Sequence, residues 1–210
     1  MCQVGASRPC AAHLLERAGA RLEQEAAGDG RDDLAPFDGP HTASPVAEDA
    51  GRGWRRMVPS PFPRKILEIE TIRTLINAGV VTITAGGGGI PVIDEGEGEY
   101  TGITGAVDKD YAASLLAQEL KADLLAVSTA VEKVAINFNQ SNQVWFDRMT
   151  LSEAKQYLAD GVHFAKGSMA PKIHAIIWFL ENGGKEAFIT NPENIGRTLK
   201  GETGTWFVHD

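Results

Sequence analysis

From residue 59 to residue 208 the chain alternates segments of helical period with short β-branched runs, and no other feature constrains its fold as tightly. Ile66, Ile69, Ile72 and Ile76 are spaced for one helical face, and Gly79 follows where a left-handed C-terminal glycine belongs. Residues 80–85 and 90–93 read as short strands, and the acidic, glycine-rich stretch 94–104 as a surface loop or hairpin. Residues 108–122 are helical, with Ala112, Leu115, Leu116 and Leu120 inward; 123–128 reads as a buried strand and 134–137 as another. Thr150 and Glu153 form a capping box that opens a helix, and Gly161 closes it. Pro171 suits a first helical turn, and Ile173, Ile176, Ile177 and Leu180 follow at helical spacing. Residues 187–190 and 205–208 are strands, with a helix led by Pro192 between them. Helices alternating with short apolar strands predict a layered α/β/α domain on a mostly parallel sheet.

Composition bounds the rest. The chain has 210 residues, 43% of them apolar and 23% charged, enough to bury a core. Twenty Lys and Arg against 28 Asp and Glu leave a net charge of −8, the wrong sign for sequence-independent nucleic-acid binding. No apolar run reaches the roughly 18 residues of a membrane helix, so neither a membrane nor a nucleic acid is expected as a partner. Cys2 and Cys10 are too few for a disulfide framework, which reads as cytoplasmic. A shift near residue 47 divides the chain: before it isoleucine and lysine are absent, and after it both are frequent. Residues 1–46 are expected to be a tail, with one amphipathic helix over 10–25 and disorder over 26–46; residues 47–210 form the domain.

Three segments could carry chemistry. Gly86, Gly87, Gly88 and Gly89 follow a predicted strand, where they either let backbone N–H groups approach an anion or make a tight turn. They fit neither the dinucleotide nor the P-loop glycine pattern. Asp108, Lys109 and Asp110 open a helix. The two acids complement the helix dipole, whereas Lys109 is unfavourable there unless an anion is bound, with Asp110 placed to pin it. The turn of Gly167, Ser168 and Met169 leads into Pro171 and Lys172 and has the same character. Two lysines at two helix starts suit a phosphoryl group, whose transfer needs positioning and positive charge more than covalent help. His163 and His174 stand outside any metal-ligand spacing. Trp145, Trp178 and Trp206 read as core or interface aromatics, and Trp54 as an indole packed beside a basic cluster.

Taken in order, several segments resemble carbamate kinase, of the amino acid kinase superfamily. They are residues 48–56, 58–61, 85–92, 106–110 and 167–172, with a Gly-x-x-Gly-Thr ending at 201–205. The resemblance implies two α/β lobes, of which residues 47–210 would be the C-terminal, nucleotide-binding one. It implies interconversion of ATP plus carbamate with ADP plus carbamoyl phosphate, in arginine catabolism. The substrates would be ATP or ADP, with Mg2+ held mainly by the nucleotide, and the intact enzyme a homodimer. Lys109 and Lys172 would stabilise the transferring phosphoryl, Asp110 would orient them, and Gly86–Gly89 would line the reaction centre. Thr129, Ala130, Val131 and Val134 would border the nucleotide, beside Ser168 and Met169. Ala130, Ala135 and Ala170 depart from the family's usual Asp, Tyr and Gly, and the run 129–138 resembles a carbamate-kinase-like subgroup. The family's N-terminal Gly-Gly-Asn and His-Gly-Asn-Gly-Pro motifs are not in this sequence. The chain is therefore expected to be the C-terminal portion of a longer enzyme and inactive alone. A degenerate nucleotide-binding module and a kinase of another small carboxylate are the alternative readings.

Overall fold

The computed structural model describes residues 12–15, 23–24, 46–48, 54–165 and 167–210. The chain divides into two compact units, Met1–Ala112 and Ala113–Asp210, so the division falls inside the stretch expected to be one domain.

In the first unit, β1 (Ala12–Leu15), β2 (Glu23–Gln24), β3 (Val46–Glu48), β4 (Trp54–Arg56), β5 (Pro59–Ser60) and β6 (Lys65–Ile66) precede α1 (Ile69–Asn77). The hairpin β7 (Ile90–Gly96) and β8 (Glu99–Gly102) follows. A four-stranded sheet runs β6-β1-β7-β8, with β1 parallel to β7 and antiparallel to β6. The helix expected over 10–25 is therefore corrected where it is described: residues 12–15 and 23–24 are strands. A lone helix has only its own marginal propensity, whereas 12–15 sits between two strands that both pair with it. The linker expected over 26–46 lies outside the described residues except for Val46, which begins β3.

Ile69 and Ile72 bury one face of α1, and Gly79 closes it at φ +79°, its N–H donating to the Ile76 carbonyl at 2.9 Å. Ile76, expected on that face, is 42% exposed, and Ile66 belongs to β6 rather than to the helix. Residues 80–85 are not a strand. Val81 is 92% exposed and Ile83 68%, so the β-branched run that predicted one pairs with no neighbour among the described residues. The hairpin expected over 94–104 does form, turning at Glu97 and Gly98, both of positive φ. Trp54 is exposed rather than packed.

In the second unit a four-stranded sheet runs β12-β14-β13-β9, from β9 (Leu124–Ser128), β12 (Arg148–Thr150), β13 (Glu186–Thr190) and β14 (Thr205–Val208). Two of its three pairings are parallel: β9 with β13 and β12 with β14. β9 lies at an edge and alternates, burying only Leu125 and Val127, so the strand expected to be buried is half-buried. β10 (Val134–Ile136) and β11 (Val144–Phe146) form a separate hairpin.

α2 (Lys109–Leu120) begins in the first unit and continues into the second, where α3 (Leu151–Asp160) and α4 (Met169–Glu181) follow. α4 lies on β9 and β13. Its Ile173, Ile176, Ile177, Phe179 and Leu180 are buried with Ala187, Ile189, Phe207 and Met149 in one core. Each large apolar side chain so buried contributes about 1.5–3 kcal/mol. α3 opens with the predicted box: Glu153 N–H donates to Thr150 Oγ1 at 3.2 Å, and Thr150 N–H to Glu153 Oε2 at 2.8 Å. Gly161 closes it at φ +69°. The helix led by Pro192 is a 3-10 turn, Pro192–Asn194, running into α5 (Ile195–Thr198).

Candidate functional site

In the first unit the four glycines form a turn. Ala85, Gly86, Gly88 and Gly89 all have positive φ, at 61°, 48°, 132° and 91°. Gly86 N–H donates to the Thr84 carbonyl and Gly88 N–H to the Ala85 carbonyl, each at 2.7 Å. Two of the glycine donors are thus spent inside the turn. A Cβ at Gly88 would stand 1.8 Å from the Val107 carbonyl oxygen, so only glycine admits this approach. The contact sets the glycine turn against the residues that open α2, joining two motifs 20 positions apart in sequence.

Asp108 and Asp110 divide their roles at that opening. Asp108 Oδ1 accepts from Asp110 N–H at 2.7 Å, a helix N-cap. Asp110 Oδ2 stands 3.6 Å from Lys109 Nζ, and the carboxylate side chain is only 11% exposed where the lysine side chain is 59% exposed. A nearly buried acid therefore faces a largely solvated ammonium. The proline segment positions this corner: Ala106 N–H donates to the Pro59 carbonyl at 2.9 Å, and a Cβ at Gly105 would crowd Pro59 and Pro61. Phe62 and Tyr111 meet at a tilt of 52°, ring centres 5.0 Å apart. The sequence placed Pro59 and Pro61 within a family-like segment but gave no sign that they meet this corner.

In the second unit α4 starts from a tight turn. The N–H groups of Ser168, Met169 and Ala170 all point to the Ala165 carbonyl, at 3.2, 3.1 and 3.0 Å. Ser168 is the N-cap residue but makes no side-chain cap bond, and the first turn holds no acid. Lys172 is buried there at 8% exposure. A lysine in the first turn opposes the helix dipole, and burial adds desolvation. An anion at that helix start would offset both terms.

The parallel strands β9 and β13 end side by side at Ser128 and Thr190. Ligands of open α/β sheets bind at such carboxyl ends. Residues 129–134 leave from that edge. Thr129 N–H donates to the Thr190 carbonyl at 2.9 Å, and Val134 N–H to the buried Thr205 Oγ1 at 2.8 Å. Ala130 is exposed, Val131 is half-buried and Val134 fully buried. Thr190 Oγ1, buried at the same edge, has no hydrogen-bond partner among the described residues. His163 pairs its Nδ1 with Asn137 Oδ1 at 3.1 Å and its ring edge with Tyr157. Trp145, expected in a core or interface, is half exposed and meets Phe138 edge-on. Among the described residues no three His, Cys, Asp or Glu are grouped to hold a metal ion, and no helix is long and apolar enough to cross a membrane.

A model of the amino acid kinase family matches residues 33–191, beginning ahead of the residue 47 expected from the motifs. The chain is 48% identical over 161 residues to the carbamate kinase-like protein YahI of Escherichia coli, covering 77% of this chain and 51% of that protein. It is 46% identical over 160 residues to the carbamate kinase of Pyrococcus horikoshii, covering 76% and 50%. Among solved structures it resembles the carbamate kinase of Giardia lamblia bound to AMP-PNP, at TM-score 0.73 and 41% identity, over 80% of this chain and 52% of that one. The chain spans about half the length of the curated relatives it matches.

Proposed function

Because the chain belongs to the amino acid kinase family, we propose that it is the nucleotide-binding portion of a carbamate kinase-like phosphotransferase. The reaction interconverts ATP plus carbamate with ADP plus carbamoyl phosphate, in arginine catabolism. A carbamate oxygen attacks the γ-phosphorus, the bond from that phosphorus to the β–γ bridging oxygen breaks, and ADP leaves with the electron pair. Lys172 carries the reading: a lysine at 8% exposure in an acid-free first turn is a preorganised positive charge. It would meet charge on the transferring phosphoryl. Lys109, steered by Asp110, would lend a second charge to the same group. The backbone of Gly86–Gly89 would admit an oxygen close to the chain, and residues 129–134 with Ser168 and Met169 would border ATP. Binding of AMP-PNP by the Giardia relative supports ATP or ADP as the nucleotide. Mg2+ would ride on its phosphates.

The test is ATP formation from ADP and carbamoyl phosphate, followed with luciferase, for the chain alone and for the chain joined to the remaining half of a carbamate kinase relative. Turnover by the joined protein and none by the chain alone supports the proposal. Turnover with acetyl phosphate but not carbamoyl phosphate would assign another small acceptor. ADP binding by the joined protein without turnover on either donor would make it a binding module.

A further inference from the structure

The 129–134 segment has a third attachment between those at Thr129 and Val134. Glu132 Oε1 accepts from Thr203 Oγ1 at 2.5 Å and lies 3.9 Å from an Arg197 guanidinium nitrogen. The two contacts differ in weight. Arg197 is more than half exposed and is shared with Glu202 at 3.3 Å and Asn194 at 3.0 Å, so its pull on Glu132 is screened. Thr203 is 6% exposed, and its hydroxyl meets a carboxylate, the stronger class of hydrogen bond.

What stands behind Thr203 is closely packed. Gly204 has φ +78°, and a Cβ there would stand 2.5 Å from Thr198 Cγ2. Thr205, fully buried, accepts from Val134 N–H and donates to the Phe146 carbonyl. The 201–205 turn thus grips the 129–134 segment at Glu132 and Val134 while β13 holds Thr129.

We propose that Glu132 is a positioning residue: held by Thr203, it locks residues 129–134 into the shape a bound nucleotide meets. The role rests on the nucleotide reading above, and the experiment separates the two. Amide hydrogen exchange across 129–134 is measured on the full chain, free and with ADP, for the parent, Thr203→Val and Thr203→Ser. Valine keeps the shape and removes the donor; serine restores it. Loss of a charge-assisted bond should speed exchange of these amides about tenfold in Thr203→Val and weaken ADP about tenfold, with serine close to the parent in both. Exchange equal in the parent and the valine variant overturns the lock, whether or not ADP binds. Faster exchange with unchanged ADP affinity overturns the positioning role. A parent whose amides gain no protection at millimolar ADP overturns the nucleotide reading, and the positioning role with it. If Thr203→Val lowers the melting temperature by more than about 5 °C, Glu132→Gln repeats the comparison at an exposed side chain. It keeps an acceptor and loses the charge, so about threefold is expected in both readouts, and no change in either overturns the proposal.

Discussion

At the start of α2, Lys109 stands in solvent with Asp110 at 3.6 Å and a capping Asp108 beside it. At the start of α4, Lys172 is buried, with neither an acid in the first turn nor a side-chain cap. The two segments share a sequence pattern: a turn of small residues followed by a lysine near a helix start. Their environments divide the work. Lys109 is exposed with an acid 3.6 Å away, whereas Lys172 is buried at a helix start whose first turn holds no acid. α3 is the instructive control, because a helix start in the same unit as Lys172 carries a full capping box and an acid at its third position.

The strongest test of that contrast is Lys172→Ala in the joined enzyme. It should lower kcat about 100-fold, near 3 kcal/mol, with a smaller change in the Michaelis constant for ATP. A kcat within about threefold of the parent would remove Lys172 from the phosphoryl group and erase the difference between the two starts. The next largest effect is structural and falls on the α2 side. Gly88→Ala places a methyl group on the Val107 carbonyl at φ +132° and should cost about 2–3 kcal/mol. Thermal melting of the chain should show it, and an unchanged midpoint would mean that the glycine turn does not need that close approach.

Lys109→Ala and Asp110→Asn should each lower turnover by about tenfold. The double variant should fall little further, because the acid acts through the lysine. Full additivity would separate them and leave Lys109 steered by something else.

The smallest effect belongs to a lysine with no such task. Lys185 Nζ lies 2.6 Å from Asp123 Oδ1, both side chains well exposed. The hydrogen bond from Lys185, reinforced by its charge, holds the Asp123 carboxyl below its ordinary 3.8, and the same bond raises the Lys185 ammonium above 10.5. The Asp123 contribution is present above pH 3.8 and fades as pH falls through its lowered value. The Lys185 contribution is present below pH 10.5 and fades as pH rises through its raised value. Between about pH 5 and 9, Lys185→Met should therefore barely move the melting temperature, while an NMR titration finds Asp123 returned to its ordinary value. A large loss of stability at neutral pH would show that exposure alone does not separate this lysine from Lys172.

The sequence by itself determined the elements whose signals are local. The capping box of Thr150 and Glu153, the left-handed glycines after α1 and α3, and the buried face of Ile173, Ile176, Ile177 and Leu180 depend on residues within a few positions of one another. The motifs around Gly86, Lys109 and Lys172 were likewise legible as helix-start and turn chemistry. Long-range pairing decided the rest. Residues 80–85 have strand composition but pair with no neighbour among the described residues, and a strand gains its hydrogen bonds only from one. Residues 12–15 read as part of a helix until β6 and β7 supplied pairing on both sides. The burial of Lys172, the seat of Gly88 on Val107 and the hold of Thr203 on Glu132 each join segments that no spacing rule connects. Helical periodicity and caps are written along the chain, whereas burial and strand pairing depend on what the rest of the chain brings alongside.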